Sequence, residues 1–222
     1  MIGAILPDGV IAVEARDDSI PSALLPAEEA SIRSAVETRR EEFTTARACA
    51  RAALARLGLP PIAITIGERG EPEWPAGLVG SITHCEGYRG CAVARSTEIA
   101  TVGIDAEPNA PLPEGVLSGV ARTEELSGLS DLKHAAPAIR WDRLLFSAKE
   151  SVYKAWYPLA KRWLGFEDAI VAFDTDSGLF EARLLVSGPE VAGRPLTGFS
   201  GRWLACDGLV LTAIAVPTST TP

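Results

Sequence analysis

Thr101-Val102-Gly103-Ile104-Asp105-Ala106-Glu107 reads as a strand of apolar and β-branched residues that runs out into a loop carrying two carboxylates. Side chains alternate along a strand, so Asp105 and Glu107 share a face. Like charges there repel. The pair persists either because both carboxylates are solvated at a strand end or because a hard cation such as Mg2+ sits between their oxygens. Downstream, residues 105–137 hold Pro108, Pro111 and Pro113, several Gly and Ser, and one short helical candidate at 123–126. This composition predicts an irregular connection and divides the chain into an N-terminal half, 1–107, and a C-terminal half, 108–222.

Each half offers a helix followed by strands. In the second half, residues 142–157 carry Leu144, Leu145, Ala148, Val152, Ala155 and Trp156 on one stripe, and Pro158 supplies a stop. Lys149, Glu150, Tyr153 and Lys154 fall off that stripe. Strand-like runs at 169–173 and 179–186 flank Asp176-Ser177-Gly178, and runs at 201–205 and 209–216 flank Asp207-Gly208, both hairpin signals. In the first half, residues 27–57 predict one helix or two consecutive helices, beginning after Pro26 and ending at Gly58 before Pro60-Pro61. Phe43, Ala46, Ala50, Ala53, Leu54 and Leu57 make its buried stripe, with Arg39, Arg47 and Arg51 on a neighbouring face. Short β-like runs follow at 62–66, 91–94 and 100–104. The expectation is an α+β protein of two similar lobes.

With 222 residues, 47% of them hydrophobic, the chain can bury a core without staples. Cys49, Cys85, Cys91 and Cys206 form no C-x-x-C pair, which points to reduced thiols rather than a zinc or redox motif. The first residues lack a basic n-region, and no stretch reaches membrane-spanning length, so a cytoplasmic protein is expected. A formal charge of −8 argues against broad attraction to nucleic acid or anionic membrane. An anionic ligand would need a local basic pocket, and Arg39-Arg40 with Arg47 and Arg51 is the one basic concentration.

Two further segments carry candidate chemistry. Glu150 and Lys154 are an i,i+4 pair of the stabilising orientation, a common surface feature when read alone. Gly80-Ser81-Ile82-Thr83-His84-Cys85-Glu86-Gly87-Tyr88-Arg89-Gly90 reads as a glycine-punctuated turn. It suits either anion binding through hydroxyl and imidazole donors or a structural histidine in a hairpin.

Taken together, Ser81-x-Thr83-His84, then Val102-Gly103-Ile104-Asp105-x-Glu107, then Lys149-Glu150-Ser151-x-x-Lys154 resemble the Sfp-type 4′-phosphopantetheinyl transferases, and the branch with the enterobactin synthetase component D proteins in particular. The resemblance runs from about Arg39 to Asp168. It implies the pseudo-twofold fold of that family, two α/β lobes with the active site between them. It also implies transfer of phosphopantetheine from coenzyme A to a serine of an acyl or peptidyl carrier protein, releasing adenosine 3′,5′-bisphosphate. The implied Mg2+ ligands are Asp105, Glu107 and Glu150, with Glu150, Lys154 and Asp105 catalytic and Glu150 the base. For coenzyme A it implies Arg39 and Arg47 at the 3′-phosphate, with Arg69, Ser81, Thr83, His84, Lys149 and Lys154 as further contacts. Arg69 stands where many relatives carry lysine, and the two side chains are not interchangeable. Trp163, Leu164 and Phe166 are either core or the wall of a pantetheine groove. The segment 108–137 is where the family docks its carrier partners, with Leu112, Val116 and Leu117 as apolar contacts and Arg122, Lys133 and Arg140 as cations. Those partners belong to fatty acid, polyketide, nonribosomal peptide or siderophore synthesis, and two lobes in one chain imply a monomer. A non-catalytic carrier- or nucleotide-binding module and a metal-dependent phosphoester hydrolase are the rival readings.

Overall fold

A computed structural model describes residues 1–20 and 22–219. In chain order the elements are a 3-10 turn at Ile2–Ile5, then β1 (Ile11–Ala15), α1 (Pro26–Ser31), α2 (Glu37–Arg56), β2 (Thr65–Ile66), β3 (Pro72–Glu73), β4 (Leu78–Cys85), β5 (Tyr88–Arg95) and β6 (Ile99–Pro108). The second half adds α3 (Val116–Val120), α4 (Thr123–Ala135), α5 (Trp141–Ala160), a 3-10 turn at Phe166–Asp168, β7 (Ala169–Asp174), β8 (Leu179–Leu184), β9 (Glu190–Val191), β10 (Arg194–Pro195), β11 (Gly198–Cys206) and β12 (Leu209–Pro217). Each lobe sets one long helix on an antiparallel sheet. The order β1-β5-β4 lies under α2, and the order β6-β12-β11-β8-β7 lies under α5.

Period-2 alternation on β5 and β6 builds the layers. Cys91 and Val93 of β5 face α2, packing on Cys49, Ala50 and Leu54. Ala92 and Ala94 face the other way and meet Val102, Ile104 and Ala106 of β6 and Leu211 of β12 in a core between the lobes. The opposite face of β6 carries Thr101, Gly103 and Asp105 toward α5, where the Thr101 hydroxyl donates to the Ala155 carbonyl at 2.8 Å. The remaining faces of α5 bury Leu145, Val152 and Trp156 against Val171, Phe180 and Phe199 of the second sheet.

The hairpins at Asp176-Ser177-Gly178 and Asp207-Gly208, the two-lobed α+β plan and the main helices match the sequence reading. Several details differ. Of the two alternatives for 27–57 the chain takes two helices, because it turns between Ser31 and Glu37. The run at 62–66 contributes only β2. The presumed turn at 80–90 is two strands joined at Glu86-Gly87, with Ser81 and Thr83 inside β4. The connection 105–137 holds α3 and the 13-residue α4, whose polar, weakly amphipathic surface conceals it from periodicity. Pro158 sits inside the last turn of α5, which ends at Lys161 in the left-handed conformation. The expected division after Glu107 separates β6 from the sheet it belongs to, since β6 pairs with β12 across Thr101–Pro108.

β6 lies tight against α5 at Gly103. A Cβ there would lie 2.1 Å from the Ser151 carbonyl oxygen and 2.7 Å from the Ala155 nitrogen, both backbone atoms. Gly103→Ala is therefore expected to destabilise the protein by about 2 kcal/mol, the cost of overpacking against a rigid wall. A lowered midpoint in urea denaturation with an unchanged slope would register it, and an unchanged midpoint would contradict it.

Candidate functional site between the lobes

The site is assembled from α5, β6, β4 and α2. Helical spacing puts Arg143, Glu150 and Lys154 along one side of α5, and β6 brings Asp105 and Glu107 against it. Asp105 is 4% exposed. Its Oδ1 accepts from Lys154 Nζ at 2.7 Å and from Thr83 Oγ1 at 3.1 Å. Its Oδ2 is buried and has no hydrogen-bond partner among the described residues. A buried carboxylate oxygen left open is costly, so the geometry asks for a further positive partner at that atom.

Glu107 is half-buried and its Oε2 accepts from Arg143 Nη1 at 2.9 Å. Burial, with Asp105 beside it, pushes the Glu107 carboxyl above the ordinary range, and Arg143 opposes the rise. Burial also raises Glu150, against the Lys154 charge and with further help from Asp105. The three carboxylates thus share one electrostatic neighbourhood. Among the described residues, however, no three acids, histidines or cysteines are drawn into a ready metal cage. The donor set still fits a hard cation, because oxygen ligands suit Mg2+ and one of them is an unpartnered, buried carboxylate oxygen.

Three concavities meet here. A cleft of about 570 Å³ includes Arg69, Ser81, Glu150, Tyr153, Lys154 and Lys161 in its lining. A recess of about 200 Å³ is bounded by Arg39, Phe43, Arg47, Gly70, His84 and Lys154. An apolar pocket of about 330 Å³ is walled by Phe146, Tyr153, Trp163, Leu164 and Phe166 and reaches Glu150. Lys154 borders the first two, and Glu150 and Tyr153 border the first and the last.

In the recess Arg39 Nη1 donates to His84 Nε2. A guanidinium cannot accept, so that ring nitrogen carries no proton. Burial, then the Arg39 charge, pushes the His84 imidazole down to about 4, with Glu42 opposing and Lys154 and Arg89 adding to the fall. Arg47 is buried at the edge of the recess. It is 4% exposed, its Nε donates to the Ile64 carbonyl at 2.7 Å and its guanidinium lies 4.0 Å from the Phe43 ring centroid. Burial lowers it to about 10, so it stays charged at neutral pH.

Three predicted contacts have other partners. Lys149, at 3% exposed, is turned away from the cleft, because its amine is held by Glu125 Oε2 at 2.8 Å and by the carbonyls of Val120, Phe166 and Ala169. The expectation that it adds charge beside a phosphate is corrected on that ground. The Ser81 hydroxyl accepts from Ile104 N, and the Thr83 hydroxyl accepts from Ala106 N while donating to Asp105. Both satisfy the outer edge of β6 rather than standing free. Arg69 is exposed at the rim. Trp163 is 67% exposed and stacks on Tyr153 at 5.0 Å between centroids, whereas Leu164 is core. Arg143 escaped the sequence reading, although its place seven residues before Glu150 put it two turns back on the same face.

A two-lobed α+β protein with acidic and basic groups around an interlobe cleft is the class this geometry defines. The model for the 4′-phosphopantetheinyl transferase N-terminal domain matches residues 27–94, and that for the 4′-phosphopantetheinyl transferase superfamily matches 101–192. The chain is 56% identical over 220 residues to the 4′-phosphopantetheinyl transferase Svp of Streptomyces mobaraensis, covering 97% of this chain and 89% of that protein. It is 51% identical over 223 residues to Npt of Nocardia iowensis, covering 97% and 99%. Enterobactin synthase component D of Salmonella typhi aligns at 33% over 132 residues, 56% of this chain, so the expected kinship to that branch is the more distant one. The chain belongs to the 4′-phosphopantetheinyl transferase superfamily and is a transferase of that kind.

The histidine environment has a pH signature. The folded protein resists a proton that the unfolded chain takes up at its ordinary value of 6.5, so this group withdraws stability as pH falls from 6.5 toward 4. NMR of the His84 ring should show no titration between pH 5.5 and 8 in the ligand-free protein, as expected for a neutral imidazole beside the Arg39 guanidinium. Arg39→Ala should move its midpoint upward, and a midpoint that stays put would remove Arg39 as a cause.

Proposed function

We propose that the protein takes 4′-phosphopantetheine from coenzyme A in an Mg2+-dependent reaction, with the donor lying across the three connected concavities. The observation that carries this reading is the open, buried Asp105 Oδ2 on a carboxylate held by Lys154, a side chain that borders both the cleft and the basic recess. Arg39, Arg47 and His84 receive the 3′-phosphate, which accounts for a local basic patch in a chain of charge −8. Arg69 lies at the rim on the nucleotide side, and Lys154 faces the pyrophosphate. The apolar wall of Tyr153, Trp163 and Phe166 takes the pantetheine arm.

Asp105 and Glu150, with Glu107 shared with Arg143, would hold Mg2+, which neutralises charge developing on the pyrophosphate oxygens. Glu150, made more basic by burial, accepts the proton of the carrier serine hydroxyl. The serine oxygen bonds to the phosphorus that bears pantetheine, the bond to the bridging oxygen breaks, and adenosine 3′,5′-bisphosphate leaves. Lys154 orients Asp105 and stays beside the leaving charge. Ser81 and Thr83 serve the site indirectly, by fixing β6 and the Asp105 carboxylate.

The carrier docks on α3 and α4, where a groove of about 390 Å³ lies among Leu117, Leu126, Leu129, Lys133 and Arg140. Lys133 and Arg140 suit an acidic helix. Arg122 is engaged with the Glu167 carbonyl and Glu124, so it is the least available of the three cations. The protein works as a monomer in the cytoplasm. Free thiols at all four cysteines fit a reducing compartment, and among the described residues no helix is long and apolar enough to cross a membrane.

Incubation with coenzyme A, Mg2+ and an apo carrier protein is expected to add the phosphopantetheine mass to the carrier, read by intact-mass spectrometry. Release of phosphopantetheine without an acceptor would favour hydrolysis instead. Glu150→Gln should slow transfer by roughly 10²–10⁴-fold while coenzyme A still binds by calorimetry, the range for loss of a general base. Undiminished turnover in that variant would take Glu150 out of the base role.

A further inference from the structure

Helix α1 contributes no side chain to the cleft, yet it carries Glu28, a carboxylate at 0% exposure. Glu28 Oε1 accepts from Ile64 N at 3.0 Å and from Arg51 Nη1 at 3.1 Å, and Oε2 accepts from Arg51 Nη1 at 2.8 Å and from Leu25 N at 2.9 Å. The carbonyl of the same Ile64 accepts from Arg47 Nε at 2.7 Å. Glu28 and Arg47 therefore grip opposite polar groups of one residue's backbone. Arg47 stacks on Phe43 and lines the basic recess, and among the described residues its Nη atoms have no acceptor.

Arg51, one helical turn beyond Arg47, points the other way onto Glu28, Ser22 Oγ and the Ala23 carbonyl. Two guanidinium groups one turn apart on α2 repel, and Arg39 adds a third positive charge near Arg47. Glu28 is the negative charge that offsets them from behind. A charge-assisted, fully buried carboxylate of this kind fixes geometry, because tilting it would strand a desolvated charge.

We propose that Glu28 is a positioning residue for donor recognition: acting through the Ile64 backbone and Arg51, it holds the Arg47 guanidinium aimed into the recess and so sets the preference for a donor bearing a 3′-phosphate. The proposal rests on the reading of that recess as the 3′-phosphate site. It assigns a function to a segment that would otherwise only cover the back of α2. It also separates the two arginines, Arg47 toward ligand and Arg51 toward scaffold.

The test is a double-mutant cycle on ligand preference. Dissociation constants for coenzyme A and for 3′-dephospho-coenzyme A are measured by calorimetry for the wild type, Glu28→Gln, Arg47→Ala and the double variant. Glu28→Gln is expected to weaken coenzyme A by about tenfold, the scale of one charge-assisted hydrogen bond, and to change the dephospho ligand by less than about twofold. The double variant should bind no worse than Arg47→Ala alone, since both changes remove the same interaction. Equal loss for both ligands, or a loss that adds in full to that of Arg47→Ala, would overturn the proposal, because that is how a purely structural residue behaves. If Glu28→Gln fails to fold, Glu28→Asp, which keeps the charge and shortens its reach, should show the same selective loss at smaller size, and a selectivity equal to wild type would overturn the proposal. A wild-type protein without preference between the two ligands would remove the 3′-phosphate assignment itself, and the relay with it.

Discussion

The structure depends on how β6 is held. One edge is paired to β12, one face packs on α5 through Thr101 and Gly103, and the other face enters the core between the lobes. Among the described residues its remaining edge forms no ladder with another strand. The amides of Ile104 and Ala106 donate instead to the hydroxyls of Ser81 and Thr83 on β4. Two hydroxyls thus do the work of a ladder, satisfying buried donors that would otherwise be costly, and they join the two sheets without merging them. Asp105 lies between those two amides, so the same contacts that tie the lobes together also place the carboxylate of the site.

Among the described residues, two buried ion pairs are taken up by protein partners and a third is left open. Glu28 with Arg51, and Lys149 with Glu125, are ion pairs whose oxygens and amine are taken up by protein donors and acceptors. Such pairs gain little net stability after desolvation but resist displacement, since breaking either leaves an uncompensated charge. Asp105 with Lys154 is the exception, because Oδ2 remains open. The open valence lies beside Lys154, which borders the cleft.

Much of this was legible beforehand. The stripe of α5 and the Asp-Gly and Asp-Ser-Gly hairpins follow from local physics, namely helical or alternating periodicity and turn chemistry. Asp105, Glu107, Glu150 and Lys154 stood out as charges at strand or helix spacing. Other features were not legible, because they depend on what packs alongside. The α4 helix lacks a strong stripe, only Leu126, Leu129 and Leu132 breaking a mostly polar run. Lys149 looked solvent-facing because its partners, Glu125 and three carbonyls, come from segments distant in sequence. Arg47 looked solvated for the same reason, with Ile64 supplying its acceptor from beyond the end of α2.

By itself the sequence determined the kinds of element, their order, and which residues carry charge or hydroxyl groups at each face, since these are set by spacing within about one helical turn or one strand. Only the tertiary structure decided which charges are free and which are committed. It turned Lys149 and Arg51 into the scaffold, left Arg47 and Lys154 facing ligand space, and gave Ser81 and Thr83 to the joint between lobes. The physical reason is that the partner of a buried polar group is chosen by long-range packing, whereas the presence of the group is written locally.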